Sequence, residues 1–288
     1  MNQPQPTLPV VFDDVTKAFA RKGPTGGKEQ LVVCRDLSFH VAPQERVAIV
    51  GATGSGKSTA LSLMMGLQSV TSGRVRVLGH DPYRDFDELR AKVGIIFQTA
   101  RLLPWRTTID NVALGLQILG VGKKERKERA AEWLDKLGLG KFAHVHPHEL
   151  SGGMQQRAAI ARTFLTDPDL ILADEAFSAL DEVTAAAVRS DLLKLIQDTR
   201  KTTVFVTHSI SEAVEVGQRV LVLAAPGRVV GTVELSEFGE PSAEARHTAE
   251  RRVREILRAA STDGREAGNS AIRTLAKEAS TIEDVVSR

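Results

Sequence analysis

The sequence predicts an α/β fold built around a mainly parallel β-sheet, and three features of the chain indicate it. Short apolar runs rich in β-branched residues recur along the chain, separated by polar stretches with helical periodicity. Several of these runs are continuous rather than alternating in polarity, which is typical of strands that helices cover on both faces. One run leads directly into a glycine-rich loop and then a helix, a local order found in α/β folds.

Eight apolar runs are predicted to be strands. They are Val10–Phe12, Leu31–Val33, Val47–Val50, Val75–Leu78, Val93–Phe97, Leu170–Leu172, Thr203–Val206 and Val220–Leu223. The runs beginning at Val47, Leu170, Thr203 and Val220 are the continuous ones, so we assign them to the parallel core.

A helical segment interrupts the strands. Between Ile109 and Thr166 the pattern becomes helical, with Trp133, Leu134 and Leu137 spaced to share one face. We therefore predict a helical subdomain, at about residues 99–166, inserted into the sheet.

A third region follows about Leu235, where the composition shifts to Arg, Glu, Ala and Ser. We predict a C-terminal helical extension over 235–288 that docks through an amphipathic face, after a main domain over 8–234. The apolar positions of this face are Ala245, Ala249, Val253, Ile256 and Leu257, and a weaker stripe follows at Ile272, Leu275 and Ala276.

Composition excludes several classes of protein. The 288 residues are 42% hydrophobic and 26% charged, as in ordinary folded proteins, and a formal charge of +2 is too small to indicate a nucleic-acid partner. No run approaches the roughly 20 apolar residues of a membrane span. The single cysteine, Cys34, follows apolar residues and is expected to be a buried strand thiol, as suits a reducing compartment.

The glycine-rich loop matches the phosphate-binding pattern G-x-x-x-x-G-K-[ST]. Its glycines allow the backbone N–H groups to curl around a phosphate chain, and the following helix adds its positive end. Lys57 is expected to reach the β- and γ-phosphates, Ser58 to bind Mg²⁺, and Thr59 to support the α-phosphate. The predicted nucleotide-binding residues here are Gly51, Ala52, Thr53, Gly54, Ser55, Gly56, Lys57, Ser58 and Thr59. The loop alone does not separate a kinase, a GTPase and a transport ATPase.

A pair of acids ends the apolar run that starts at Leu170. A buried strand does not tolerate two carboxylates unless charge is needed at its carboxyl end. Asp174 is expected to hold Mg²⁺ through water, and Glu175 to polarise the attacking water as general base.

Further motifs complete the pattern: Leu-Ser-Gly-Gly-Met-Gln-Gln at 150–156, Gln98 after the strand at 93–97, Ser-Ala-Leu-Asp at 178–181, and His208. Together with the loop and the acid pair they resemble the ABC-transporter ATPase family from about Val10 to Glu234. The resemblance implies a P-loop NTPase fold, with a RecA-like parallel core, an antiparallel β subdomain and an inserted helical subdomain that carries the signature at 150–156. It implies ATP and Mg²⁺ as cofactors.

The resemblance also implies roles for residues outside the loop. Ser151, Gly152, Gly153 and Gln155 would face the γ-phosphate of ATP bound to a second copy, so the chain would work as a head-to-tail homodimer. His208 would contact the γ-phosphate, Asp181 would line the seam between subunits, and Phe19 would stack on adenine. Gln98 would join Lys57, Glu175 and His208 as a catalytic residue and would also bind the metal with Ser58 and Asp174.

Two departures from the family pattern stand out. Ala176 replaces the proline that usually follows the catalytic glutamate, which is expected to loosen the turn slightly while hydrolysis is retained. Thr99 and Ala100 follow Gln98 where an acid and a small residue are frequent, in the region that meets the membrane partner.

The segment after Gln98 carries the cargo hypothesis. Leu-Leu-Pro-Trp-Arg-Thr at 102–107 resembles the subgroup that serves nitrate, taurine and aliphatic-sulfonate importers. Trp105 and Leu103 would anchor an integral-membrane permease, although Trp105 could instead pack inside the helical subdomain. The chain would then lie peripherally on the cytoplasmic face of the inner membrane and depend indirectly on an extracytoplasmic solute-binding protein.

The sequence leaves other cargoes and other functions open. The cargo could be bicarbonate or a thiamine precursor, because nothing in this chain touches it. A P-loop small-molecule kinase, a soluble ABC ATPase of DNA repair or translation, and a subunit that binds ATP without hydrolysing it are the rival functions.

Overall fold

The computed structural model describes residues 8–22, 27–240 and 242–260. The described strands are β1 Val10–Lys22, β2 Lys28–Val41, β3 Arg46–Gly51, β4 Ser72–Val77, β5 Val93–Ile96, β6 Leu170–Asp174, β7 Thr202–Thr207, β8 Arg219–Ala224 and β9 Arg228–Glu234. The helices of more than one turn are α1 Lys57–Met64, α2 Thr108–Val112, α3 Leu114–Ile118, α4 Lys123–Lys136, α5 Gly152–Phe164, α6 Glu182–Thr199, α7 Ile210–Val216 and α8 at 243–260. All eight predicted strands are present, so the α/β prediction is confirmed.

The larger sheet has six strands in the order β5-β6-β7-β3-β8-β9. Its first five strands are parallel, and β3 pairs with β7 on one side and β8 on the other. The continuous apolar runs are the buried central strands, as the sequence predicted. The parallel order brings the carboxyl ends of β3, β6 and β7 to one edge of the sheet.

Strand β9 was not predicted. It pairs antiparallel with β8 at the edge of the sheet, and only Val233 of its seven residues is buried. A glycine at its centre, Gly231, also weakens the strand pattern in the sequence. An edge strand that is largely exposed and has glycine at its centre therefore gives little periodic signal in the sequence.

The smaller sheet is antiparallel, in the order β2-β1-β4. Phe12 of β1 stacks on Phe39 of β2 with ring centroids 4.4 Å apart. These strands share one apolar core with α1 and one face of the larger sheet. The antiparallel β subdomain is thus packed against the glycine-rich loop's own helix.

Helices α2 to α5 form the helical region between β5 and β6. Leu134 is fully buried, and the Trp133 ring lies 5.6 Å from that of Phe164. Helix α5 packs against β5 and α6, which ties this region to the edge of the larger sheet.

Helix α8 packs on the larger sheet through Ala249 and Val253, which lie in the same core as β8 and β9. A Cβ on Gly231 would come within 2.7 Å of Ile256, so the missing side chain lets the helix approach β9 closely. The division between 8–234 and 235–288 stays a prediction, and the stripe at Ile272, Leu275 and Ala276 lies outside the described residues.

Candidate functional site

The glycine-rich loop joins the end of β3 to the start of α1. Gly54 and Gly56 have φ angles of 80° and 88°, a left-handed conformation that other residues adopt only at a cost. A Cβ on Gly56 would lie 2.8 Å from the Cα of Gly227, so the loop also packs closely on its neighbour. The positive φ angle favours glycine at both positions, and the close packing is a second reason for glycine at position 56.

A cavity of about 410 Å³ opens over this loop. Three of the four predicted catalytic residues, Lys57, Glu175 and His208, contribute to its wall. The full lining is Val33, Thr53, Gly54, Ser55, Gly56, Lys57, Ser58, Thr59, Glu175 and His208. The sheet topology therefore assembles residues that are far apart in sequence into one site.

The Lys57 ammonium lies inside the loop. Its Nζ atom donates to the carbonyl oxygens of Gly51 at 2.7 Å and Ala52 at 3.0 Å, and only 7% of the residue is exposed. Burial lowers its pKa, while the charge of Glu175 acts in the opposite direction. A buried ammonium that contacts neutral carbonyls is stabilised further when an anion binds beside it.

The hydroxyl of Ser55 supports the same interpretation. Its Oγ atom is buried and has no hydrogen-bond partner among the described residues. An unpartnered buried polar atom is uncommon in a folded protein and indicates a missing ligand or water. Loop, ammonium and hydroxyl thus fit a phosphate chain.

Asp174 and Glu175 lie at the carboxyl end of β6. Burial raises the pKa of Asp174, the neighbouring Glu175 charge raises it further, and Arg101 lowers it. Two adjacent carboxylates of this kind are stabilised by a cation. The hydroxyl of Ser58, the amide oxygen of Gln98 and the carboxylate of Asp174 are oxygen donors of the type that Mg²⁺ prefers.

The backbone of Glu175 is held in an unusual conformation. Its φ angle is 46°, and its N–H donates to the carbonyl of Val206 in β7 at 2.8 Å. The Ser178 hydroxyl donates to the Glu175 carbonyl at 3.0 Å. These contacts hold the backbone N–H and carbonyl of Glu175, and Ala176, where the family usually has proline, is buried in the core.

His208 follows β7, and its Nδ1 atom lies 3.3 Å from Oε1 of Glu175. The His208 side chain is 59% exposed, so its ring borders the open side of the cavity. The next residue, Ser209, caps α7 by accepting from the Glu212 N–H at 3.2 Å.

Glu212 is a residue near the site that the sequence analysis missed. It is buried in α7, and burial raises its pKa, against the effects of the Thr207 hydroxyl and the charges of Arg189 and His208. An acid on the apolar face of a short helix was the only available signal.

The signature at 150–156 begins α5. Ser151 caps the helix by accepting from the Met154 N–H at 3.3 Å, and Ser151 and Gly152 are exposed. Gly153 is buried where a Cβ would strike Thr184 of α6. None of the described residues that line the phosphate cavity belongs to the signature.

Gln155 and Asp181 have local partners. The side-chain nitrogen of Gln155 donates to the carbonyls of Pro147 at 3.0 Å and Leu150 at 3.2 Å. Its amide is therefore turned back towards its own subdomain, and the predicted contact to a nucleotide has no support from this geometry. Asp181 caps α6, and hydrogen bonds from Thr184 lower its pKa.

Gln98 and Phe19 do not line the phosphate cavity. Gln98 is exposed after β5. Phe19 is half-buried on β1, with the Lys17 ammonium 4.9 Å from its ring centroid. Their predicted contacts with metal and adenine stay predictions.

Trp105 is 72% exposed, so the alternative that it packs inside the helical region is wrong. The loop that carries it is held in place by hydrogen bonds to the side chain of Asn111, which is fully buried. Asn111 Nδ2 donates to the carbonyls of Leu103, Arg106 and Thr107 at 3.1 Å, and Oδ1 accepts from the Leu103 N–H at 2.6 Å. Sequence analysis missed this role of Asn111, because the sequence does not show which backbone groups a buried side chain will contact.

No helix within 8–22, 27–240 and 242–260 combines the length and apolar character needed to cross a bilayer.

Comparisons with known proteins show the family to which the chain belongs. The family model described as ABC transporter matches residues 34–178. The chain is 44% identical over 200 residues to a taurine import ATP-binding protein of Rhizobium johnstonii, covering 69% of this chain and 75% of that one. It is 40% identical over 205 residues to a nitrate import ATP-binding protein of Synechocystis, covering 71% and 76%.

A relative with a different cargo and a solved structure are also similar to this chain. A glycine betaine/proline betaine transport ATP-binding protein of Salmonella typhimurium is 39% identical over 194 residues, covering 66% of this chain and 48% of that protein. The dimeric, ADP- and phosphate-bound cassette MJ0796 superposes with a TM-score of 0.68 at 35% identity, covering 78% of this chain and 98% of that one. This chain belongs to the ABC transporter family, as an ATP-hydrolysing subunit.

Proposed function

We propose that this ATPase powers the import of a small anion, of the taurine, aliphatic-sulfonate or nitrate class, through a separate membrane permease. The observation that carries the proposal is the exposed Trp105 on a rigid loop, within the 102–107 segment that resembles this subgroup. The taurine and nitrate import proteins among its relatives support the same class. Bicarbonate, a thiamine precursor or a betaine are the alternative cargoes.

For hydrolysis, Lys57 and the backbone of the glycine-rich loop hold the β- and γ-phosphates. Glu175 accepts a proton from the attacking water, and His208 orients the carboxylate and contacts the γ-phosphate. Ser58, Gln98 and Asp174 would hold Mg²⁺, which would supply positive charge against the charge that develops on the phosphates. The buried Lys57 and the adjacent carboxylates of Asp174 and Glu175 support this division of roles.

The complete site needs two copies of the chain. The exposed N-terminus of α5, with Ser151 and Gly152, offers an anion site that lies outside the phosphate cavity of its own chain. Two chains paired head to tail place each signature over the other chain's ATP, with Asp181 at the seam. The similar cassette MJ0796 is dimeric with ADP and phosphate bound, which supports the pairing of two copies.

Mixing two inactive variants tests the composite site. Lys57→Ala removes the phosphate ligand of one copy, and Ser151→Arg blocks the signature of the other. A heterodimer of the two variants retains one site with both halves intact, so the mixture should recover ATP hydrolysis that neither variant has alone. Purified variants that stay inactive when mixed, although each is folded, would contradict the head-to-tail arrangement.

The cargo and location are tested with the permease. The chain is proposed to lie on the cytoplasmic face of the inner membrane, below a permease that receives cargo from an extracytoplasmic solute-binding protein. Reconstituted vesicles containing the permease should show ATPase stimulation by binding protein loaded with taurine, an alkanesulfonate or nitrate. Stimulation by glycine betaine instead would replace the proposed cargo class while leaving the ATPase assignment intact.

A further inference from the structure

A buried amide joins the ends of two strands at the edge of the catalytic site. Gln156 lies in the second turn of α5 and is only 2% exposed. Its Nε2 atom donates to the carbonyl of Phe97 at 2.9 Å and to the carbonyl of Ala176 at 2.7 Å. Both amide hydrogens are therefore used, one on each strand end.

The two acceptors flank residues with proposed roles in hydrolysis. Phe97 directly precedes Gln98, and Ala176 directly follows Glu175. The ladder between β5 and β6 ends at the pair Ile96 and Ala173. Beyond that pair no ladder joins β5 to β6, although Asp174 of β6 still pairs with Val206 of β7. The Gln156 amide bridges the segments after β5 and β6 at this point.

The turn after β6 needs such support. Glu175 has a φ angle of 46°, which a non-glycine residue keeps only when its surroundings hold it there. Ala176 also has the freedom in φ that a proline would remove. The Glu175 N–H is bound to Val206 and its carbonyl to Ser178, while the next carbonyl is bound only by Gln156 among the described contacts.

We propose that Gln156 is a positioning residue for ATP hydrolysis, whose amide holds the segments bearing Gln98 and Glu175 at a fixed distance. The proposal rests on the roles assigned above to these two residues. Gln156 also shares α5 with Ser151 and Gly152, so the helix that presents the signature to a partner's nucleotide sets the geometry of its own chain's catalytic edge. A displacement of α5 on pairing is thereby transmitted to Glu175.

A matched control lies farther along the same helix. Thr163 is 6% exposed, and its Oγ1 atom lies 3.0 Å from the carbonyls of Ile95 and Ala159. It bonds α5 to β5, two residues before the Phe97 carbonyl that Gln156 binds, and neither of its hydrogen bonds involves the turn after Glu175. Thr163→Val therefore removes a buried bond between helix and strand without disturbing the proposed positioning.

The experiment compares Gln156→Met with Thr163→Val in the full-length chain, by thermal unfolding, ATP affinity and steady-state hydrolysis. Both variants lose a buried donor, so each should unfold a few degrees lower, about 2–4 °C per kcal/mol lost. Only Gln156→Met should lower kcat, by about 10- to 100-fold, as expected for misplaced catalytic groups. KM and ATP affinity should stay within about twofold of the parent chain.

A second variant keeps the proposal testable if Gln156→Met does not fold. Gln156→Glu preserves length, and its carboxyl can donate one hydrogen bond while protonated and none when ionised. Relative to the parent chain, its kcat should be intermediate at low pH and fall as pH rises. A kcat for both Gln156 variants equal to that of Thr163→Val, at every pH, overturns the proposal.

Glu175→Gln, measured in parallel, separates this inference from the proposed function. Normal turnover by Glu175→Gln would refute the assigned general base, and the positioning role with it. Inactive Glu175→Gln together with normal Gln156→Met would refute the positioning role alone. Loss of kcat in both, with Thr163→Val unaffected, supports both.

Discussion

The imidazole of His208 and the carboxylate of Glu175 lie 3.3 Å apart, from Nδ1 to Oε1. They follow the adjacent parallel strands β7 and β6, whose register ends at Asp174 and Val206. An imidazole that carries a proton on Nδ1 can donate it to the carboxylate and fix its orientation. The sheet itself therefore brings together the two groups to which we assign the handling of the attacking water.

Replacing Glu175 tests the general base. Glu175→Gln keeps the shape of the side chain but cannot accept the proton, so kcat should fall by about 10²- to 10⁴-fold. ATP should still bind, and a nucleotide-bound dimer should accumulate and be detected by size-exclusion chromatography. Glu182→Gln, which changes a carboxylate that is 90% exposed on α6, is the matched control and should hydrolyse ATP normally.

The raised pKa of Asp174 predicts how Mg²⁺ dependence changes with pH. Because burial and the charge of Glu175 raise this pKa, the proton persists at pH values where an exposed aspartate is already ionised. In the proposed metal site Mg²⁺ would compete with that proton for the Asp174 carboxylate, so the Mg²⁺ concentration for half-maximal hydrolysis should increase as the pH is lowered.

Asp174→Asn should weaken Mg²⁺ activation at every pH, whereas Asp198→Asn, an exposed change on α6, should leave it unaltered. An Asp174→Asn enzyme with the parent chain's Mg²⁺ dependence would remove this carboxylate from the metal site.

The Trp105 loop should depend on Asn111 for its shape. Asn111→Leu removes the side-chain bonds to three carbonyls and to the Leu103 N–H, and the carbonyls of Leu103 and Thr107 keep backbone partners. The loss of bonds to the Leu103 N–H and the Arg106 carbonyl should lower the free energy of unfolding by about 1–3 kcal/mol in urea denaturation. Gln117→Leu removes a surface hydrogen bond to Arg106 in the same region and should change stability by less than about 0.5 kcal/mol. Equal effects of the two substitutions would argue against a dedicated support.

Truncating Trp105 itself should separate partner binding from catalysis. The side chain is exposed, so Trp105→Ala should leave ATP hydrolysis in solution unchanged and weaken the association with the permease. Affinity measurements on detergent-solubilised permease check this expectation. Equal binding of the variant and the parent chain would exclude the anchor.

Helix α8 should unfold together with the ATPase core. Val253 is completely buried in that core, so Val253→Ala should reduce stability by about 1–3 kcal/mol. Arg254→Ala breaks only an ion pair with Glu250 on the surface of the helix and should have a much smaller effect. A separate early unfolding transition in calorimetry would show instead that α8 melts independently.

The sequence predicted the features that depend on local pattern and motif. The apolar runs at Val47, Leu170 and Thr203 identified buried parallel strands because both of their faces must be covered. Motif spacing identified Lys57, Glu175 and His208, which the sheet then brought into one cavity. Burial of Cys34 also followed from its apolar neighbours.

Features that depend on tertiary contacts were not predictable in this way. Nothing local to Gln156 or Asn111 indicates that its amide will find carbonyls on other segments. The amide of Gln155, one position before Gln156, donates instead to the carbonyl of Pro147, because a shift of one residue along a helix changes the direction of the side chain. Its predicted contact with the nucleotide of a second copy stays a prediction. Strand β9 was missed because half-exposed edge strands carry little periodicity.

Cys34 gives the chain a built-in probe of the loop's motion. It is the only cysteine in the sequence, it is fully buried, and its Sγ atom lies 3.9 Å from the carbonyl of Gly56 at the start of α1. Burial raises the pKa of its thiol to about 11, which keeps it in the unreactive protonated form. Alkylation at this single sulfur therefore requires the glycine-rich loop to separate from β2. The rate of labelling, measured with and without ATP, reports how often this separation occurs.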